Sequence, residues 1–155
     1  MPRITDIAAG LLAQTTDALL GAVGDIPEDR RLWTQCESAR SALDILVECA
    51  GVQRAAAMMA KGEPFDYEGT KPTLVDYDSL EKAGALFRET AAEFTAAIQA
   101  LTEAELEREL TMPWGKTVTM AEFTFLPASH NSYHHGQVCY IQLLLGDTEM
   151  RMSDD

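Results

Sequence analysis

Four stretches of this chain repeat their apolar residues every three or four positions, and period-two alternation is almost absent. Helices are therefore the main elements the sequence can build. In the first stretch, Ile4, Ile7, Ala8, Leu11, Leu12, Thr15, Ala18, Leu19 and Ala22 form the stripe. Gly21 and Gly24 mark its end, and Pro27 opens a helical turn in PEDRRLW. Ser41, with Asp44 three residues on, predicts the start of the second helix. Its main stripe is Ala42, Ile45, Leu46, Cys49, Val52 and Ala56, and Leu43, Val47 and Ala50 form a strip on the far side. A helix apolar on two sides needs neighbours on both, as in a bundle interior. It fades at Lys61-Gly62.

Residues 62–77 carry two Pro and two Gly without a period, which predicts a long crossing loop. Asp78 with Glu81 predicts the next helix start, followed by Leu80, Ala83, Phe87, Ala91, Phe94, Ile98 and Leu101. Thr102 with Glu105 caps a short acidic helix, and TMPWGKTV predicts a turn or short hairpin. Thr119 with Glu122 opens a last helix that runs to Leu145 and that Pro127 should kink or divide. The expected fold is all-α: a four-helix bundle with a long crossover loop between the second and third helices. Residues 1–155 form its single domain, a length that suits one domain better than two.

The charge narrows the function classes. The chain has 25 Asp and Glu against 12 Lys and Arg, a formal −13. Phosphate backbones and anionic membranes repel such a chain, so neither nucleic acid nor membrane is an expected partner. No stretch approaches the roughly 20 apolar residues that span a bilayer, and no secretory leader is expected. Cys36, Cys49 and Cys139 cannot all pair and make no CxxC, which points to reduced thiols in a cytoplasmic protein.

The candidate chemistry lies in SHNSYHHGQ, which holds all three histidines. At 100° per residue, His130 and His134 share an arc with Phe123, Leu126, Gln137, Ile141 and Leu144. His135 points elsewhere, as a surface residue. Imidazoles four residues apart on a helix stand about 5–6 Å apart at Cβ and can converge on one metal ion. A site would need at least one further ligand from Asp, Glu or Cys. The bland alternative is a pair of histidines satisfied by ordinary hydrogen bonds. Gln137 is expected to hydrogen-bond rather than ligate, and Tyr133 and Tyr140 to pack with a polar tip. Ser132 diverges from His134, so a serine triad is not expected.

HNSYHHGQVCYIQLLLG resembles the C-terminal signature of the DinB-like (DinB/YfiT) four-helix-bundle superfamily. His130, His134, Gly136, Gln137 and Tyr140 match in order, and SALDILVECAGVQ with IPEDRRLW before it resembles the family's second helix. The resemblance spans essentially the whole chain. It implies a metal site from one His of the second helix and two of the last. At the first of these positions this chain has Glu48. Either Glu48 replaces the imidazole, giving a set of Glu48, His130 and His134, or the site has degenerated and Glu48 is solvated. Cys49 is a second candidate on the same helix. An intact set suits zinc or nickel, with manganese or iron as alternatives.

The resemblance also implies a metal-dependent enzyme, a thiol-dependent transferase or isomerase that activates a low-molecular-weight thiol or water for attack on a small substrate. The crossing loop and the Trp114 turn are candidate pocket walls. The contrasting expectation is a non-catalytic homodimeric bundle with structural histidines. DNA contact is the weakest reading, given the charge.

Overall fold

A computed structural model describes residues 1–64 and 67–149; Phe65, Asp66 and residues 150–155 lie outside the described residues, Phe65 and Asp66 within the expected crossing loop. Four long helices dominate: α1 (Ile4–Asp25), α2 (Ala42–Ala60), α4 (Leu80–Gln99) and α7 (Leu126–Leu144). Between them lie three short helices, α3 (Tyr67–Thr70), α5 (Glu103–Leu106) and α6 (Met120–Phe123), and the strands β1 (Glu109–Thr111) and β2 (Thr117–Thr119). The strands pair antiparallel as the expected hairpin, turned at Gly115, whose φ of +87° suits glycine. PEDRRLW holds a 3-10 turn, Glu28–Arg30.

Two core clusters give the helix directions. One joins the C-terminal halves of α1 and α7 to the N-terminal halves of α2 and α4, through Leu19, Val23, Leu46, Phe87 and Val138. The other joins the opposite halves, through Leu12, Ala56, Phe94, Ile98 and Ala128. So α1 and α7 run one way, α2 and α4 the other. α2 packs beside α4, and α1 beside α7. The parallel neighbours α2 and α4 oblige the chain after Ala60 to return over the helix length, about 28 Å. That segment contains the helical turn α3, closed by a bond from the Lys71 amide to the Tyr67 carbonyl (2.8 Å), where the sequence suggested no structure. Gly51 of α2 lets it pack close: a Cβ there would stand 2.8 Å from Cδ of Pro72.

The caps follow the sequence with one shift. Ser41, Thr102 and Thr119 each accept a bond from the third backbone amide of their helix, and Glu105 and Glu122 complete two capping boxes. For α4 the cap is Ser79, whose hydroxyl accepts from the Lys82 amide, rather than Asp78; Asp78 pairs with Nζ of Lys82 at 2.8 Å. Pro127 sits in the first turn of α7 and divides it from α6.

α1 differs from its expected stripe. Of that stripe Ala8, Leu12, Leu19 and Ala22 are buried, joined by Thr5, Thr16, Leu20 and Val23, while Ile4, Ile7 and Leu11 are exposed. A helix charged only at Asp6, Asp17 and Asp25 leaves its rotational phase open, and packing chooses it. By length and composition α1 could also cross a membrane, against the expectation that no stretch could. Half of its most apolar window is buried in the bundle.

Candidate metal centre

Glu48 lies in the second turn of α2, and His130 and His134 lie in the first half of α7, the helix packed beside it. The structure brings all three together. Glu48 Oε1 stands 3.5 Å from Nε2 of His130, and Oε2 stands 3.1 Å from Nε2 of His134. The two imidazoles meet edge to face with centroids 4.5 Å apart. Glu48 is therefore not a solvated surface acid: 16% of its side chain is accessible, against 25% for His130 and 8% for His134.

Burial alone would raise the Glu48 carboxyl. Hydrogen bonds and charge from His130 and His134 outweigh it and hold the group at about 2. Glu48 thus presents a carboxylate at any ordinary pH. Its neighbour Cys49 is fully buried, with Sγ 4.0 Å from Oε2 of Glu48. Burial first, and then the Glu48 charge, push this thiol well above its ordinary value, so it behaves as a protonated apolar filler. Its Sγ still lies within 4.8 Å of the three other donor atoms.

The orientation of His134 is fixed from its other side. Nδ1 donates to Oε1 of Gln137 at 2.7 Å, and Nε2 of Gln137 donates to the Tyr133 hydroxyl at 3.2 Å. That bond keeps a proton on Nδ1, so Nε2, which donates to Glu48 in the metal-free protein, is the nitrogen that would turn to an ion. Nδ1 of His130 is buried and has no partner among the described residues. His135 is half-buried rather than a surface residue, with Nε2 3.6 Å from Sγ of Cys139 and away from the cluster.

The donor set fits a metal ion. Around a tetrahedral zinc, donors at about 2.1 Å stand about 3.4 Å from one another. The two carboxylate–imidazole distances, 3.1 and 3.5 Å, bracket that spacing. One carboxylate and two imidazoles suit zinc, nickel, manganese or iron, so chemistry narrows the ion only to this group.

Two clefts flank the cluster. One, of about 610 Å³, runs between residues 33–40 and α7 and has His134 in its wall. The other, of about 540 Å³, has Glu48 in its wall, with Tyr67 and Glu68 of the crossing segment, Met59, and Pro113 and Trp114 of the hairpin. The crossing segment and the Trp114 turn therefore do wall a cleft at the site. The first cleft was not anticipated: Trp33 and Arg40 lie in an aperiodic stretch, and only closure of the bundle carries them to α7.

Comparison with known proteins bears on this arrangement. Residues 11–138 match the sequence pattern of the DinB superfamily. No curated protein matches the chain. Among solved structures, YfiT from Bacillus subtilis, described as "a probable metal-dependent hydrolase with an unusual four-helix bundle topology", is similar at TM-score 0.75 and 15% identity, over 94% of this chain and 93% of its own. A DinB-like protein, YjoA, of the same organism is similar at TM-score 0.72 and 18% identity, over 96% of this chain and 98% of its own. A variant of a mycothiol-dependent maleylpyruvate isomerase is similar at TM-score 0.70 and 12% identity, over 89% of this chain but 63% of its own. At these identities the likeness concerns the fold.

Proposed function

The chain belongs to the DinB superfamily, and from that premise we propose that it is a metal-dependent enzyme whose ion is held by Glu48, His130 and His134. The observation that carries the reading is the convergence of a carboxylate and two Nε2 atoms, from two helices, between two open clefts. A divalent ion held there would lower the pKa of a water or thiol beside it and supply a nucleophile near neutral pH. The chain's own residues set the conditions. Gln137 and Tyr133 hold the His134 ring, Cys49 keeps solvent from the back of the site, and the flanking clefts admit small molecules from both sides. Zinc and nickel are the first choices of ion.

For the reaction, we favour attack of a low-molecular-weight thiol on a small electrophile, as a transfer or isomerisation. The thiol-dependent isomerase among the similar folds supports this, and hydrolysis by water is the competing outcome suggested by YfiT. Cys36, Cys49 and Cys139 form no disulfide among the described residues, which suits a reducing, cytoplasmic setting. Elemental analysis of protein purified without a His tag tests the metal. About one equivalent of a transition metal per chain is expected, and His134→Ala should lose it. No metal as purified, with added zinc or nickel neither binding nor raising Tm, would overturn the reading.

A second reading has its own observation. α7 carries no Asp, Glu, Lys or Arg, although Tyr133, Tyr140, Leu143 and Leu144 are exposed on it. The neighbouring α1 exposes Ile4, Ile7 and Leu11. In this reading a second copy of the chain covers that uncharged face, and the histidines serve stability.

A further inference from the structure

The two clefts beside the cluster differ in charge. Although the chain has 25 acidic residues, among the described residues no Asp or Glu lines the cleft on the His134 side, and one Arg does. Among the described residues, the cleft on the Glu48 side is lined by two carboxylates, Glu48 and Glu68, and by no Lys or Arg. Arg40 precedes the cap of α2, and its guanidinium makes no hydrogen bond or ion pair with any described residue. Arg31, the nearest cation before it in the chain, is engaged. It donates to the Ile26 and Gly24 carbonyls at 3.0 and 3.3 Å, pinning the start of the loop to the end of α1. Arg40 is close enough for its charge to act on Cys49 and Tyr67. Trp33, Tyr133 and Tyr140 give the same cleft aromatic walls, and Thr34, Ser38 and Gln137 add neutral hydrogen-bonding groups.

We propose that this cleft binds a small aromatic carboxylate, with Arg40 holding the carboxylate and the ring lying among Trp33, Tyr133 and Tyr140, next to His134. A guanidinium without a partner among the described residues offers its planar fork to a carboxylate at little cost in lost contacts. With no acid among the described residues of its walls, this cleft repels an anion less than the cleft on the Glu48 side does. The proposal deepens the reading of the cluster as a metal centre, because it names the substrate class of the same site.

The chain supplies its own reporters. Its two tryptophans stand one in each cleft, Trp33 on the His134 side and Trp114 on the Glu48 side. The probes are 4-nitrobenzoate, which quenches tryptophan, and its uncharged amide. They are titrated into Trp114→Phe and Trp33→Phe protein, zinc-loaded and after chelation. Saturable quenching is expected when Trp33 is the reporter and not when Trp114 is. The carboxylate should bind about tenfold more tightly than the amide, and Arg40→Gln should abolish that preference. Far-ultraviolet circular dichroism and an unchanged Tm confirm that Arg40→Gln is folded. Quenching confined to Trp114, no saturable quenching, or a preference that survives Arg40→Gln overturns the proposal. If the preference appears only with zinc and survives Arg40→Gln, the carboxylate is held by the ion, so the proposal fails and the metal reading stands. If zinc does not bind but the Arg40-dependent preference persists, the metal reading fails and the carboxylate site stands.

Discussion

Glu48 decides whether the cluster is a site. Its two oxygens face different imidazoles, at 3.5 and 3.1 Å, so it joins the two histidines that α7 already brings together. Glu48→Gln should weaken zinc binding by more than about 100-fold, measured by competition with a chromophoric chelator. Gln137→Ala removes the partner of Nδ1 of His134, together with the bond to the Tyr133 hydroxyl, and should cost about 10–100-fold in the same assay. The carboxylate also carries a pH signature in the metal-free protein. Its folded value of about 2 lies below the ordinary 4.5, so its contribution is complete above about pH 4.5 and lost as pH falls toward 2. Wild-type stability should therefore fall relative to Glu48→Gln across that window, by at most about 3 kcal/mol, in urea titrations at stepped pH. A constant difference between the two would show that the carboxylate is not held by the histidines. The histidine pair was legible in sequence because a helix fixes positions four apart on one face. Glu48 was ambiguous because it stands at the margin of its stripe, where the period does not choose between core and solvent. Only the packing of α7 against α2 makes that choice.

The elements were readable where sequence chemistry is local, and obscure where packing decides. Thr102 with Glu105 and Thr119 with Glu122 mark helix starts because cap and acid complete each other within one turn. Pro127 marks a boundary because it lacks an amide hydrogen. Asp78 was the wrong cap because Ser79, one residue on, can accept the same kind of bond, and two adjacent cap formers leave the register open. The phase of α1 was misread for a related reason: with apolar residues nearly all round, two stripes compete. Glycines show the same divide. Gly10 of α1 has nothing within 4 Å of a built Cβ, so Gly10→Ala should add about 0.5–1 kcal/mol by helix propensity. Gly51 lies in the interior of α2, where propensity predicts the same gain, but its Cβ would meet the Pro72 ring at 2.8 Å. Gly51→Ala should instead lower the urea midpoint, and a gain equal to that of Gly10→Ala would show that the crossing segment does not pack there.

At the scale of the molecule, a buried polar chain crosses the bundle. The Thr90 hydroxyl of α4 donates to Oε1 of Gln53 in α2 at 2.8 Å, and Nε2 of Gln53 donates to Oδ1 of Asn131 in α7 at 3.5 Å. Nδ2 of Asn131 reaches the Thr16 hydroxyl of α1, also at 3.5 Å. One residue from each long helix takes part, and no local pattern announces it, because its members lie far apart in sequence. Gln53 is wholly buried, so Gln53→Leu should cost about 1–3 kcal/mol by stranding Asn131, with a smaller effect from any substitution at exposed Gln99. The outer surface poses the converse question, since a chain carrying −13 repels its own copies except where it carries no charge. α7 is such a place, and α1, running parallel beside it, exposes apolar side chains. If this face joins two copies, sedimentation should give twice the 17.0 kDa of one chain, and Leu143→Glu or Leu11→Glu should return it to one while the fold is kept. A monomeric wild type would remove the homodimer reading and leave the metal reading untouched, because Glu48, His130 and His134 all come from a single chain.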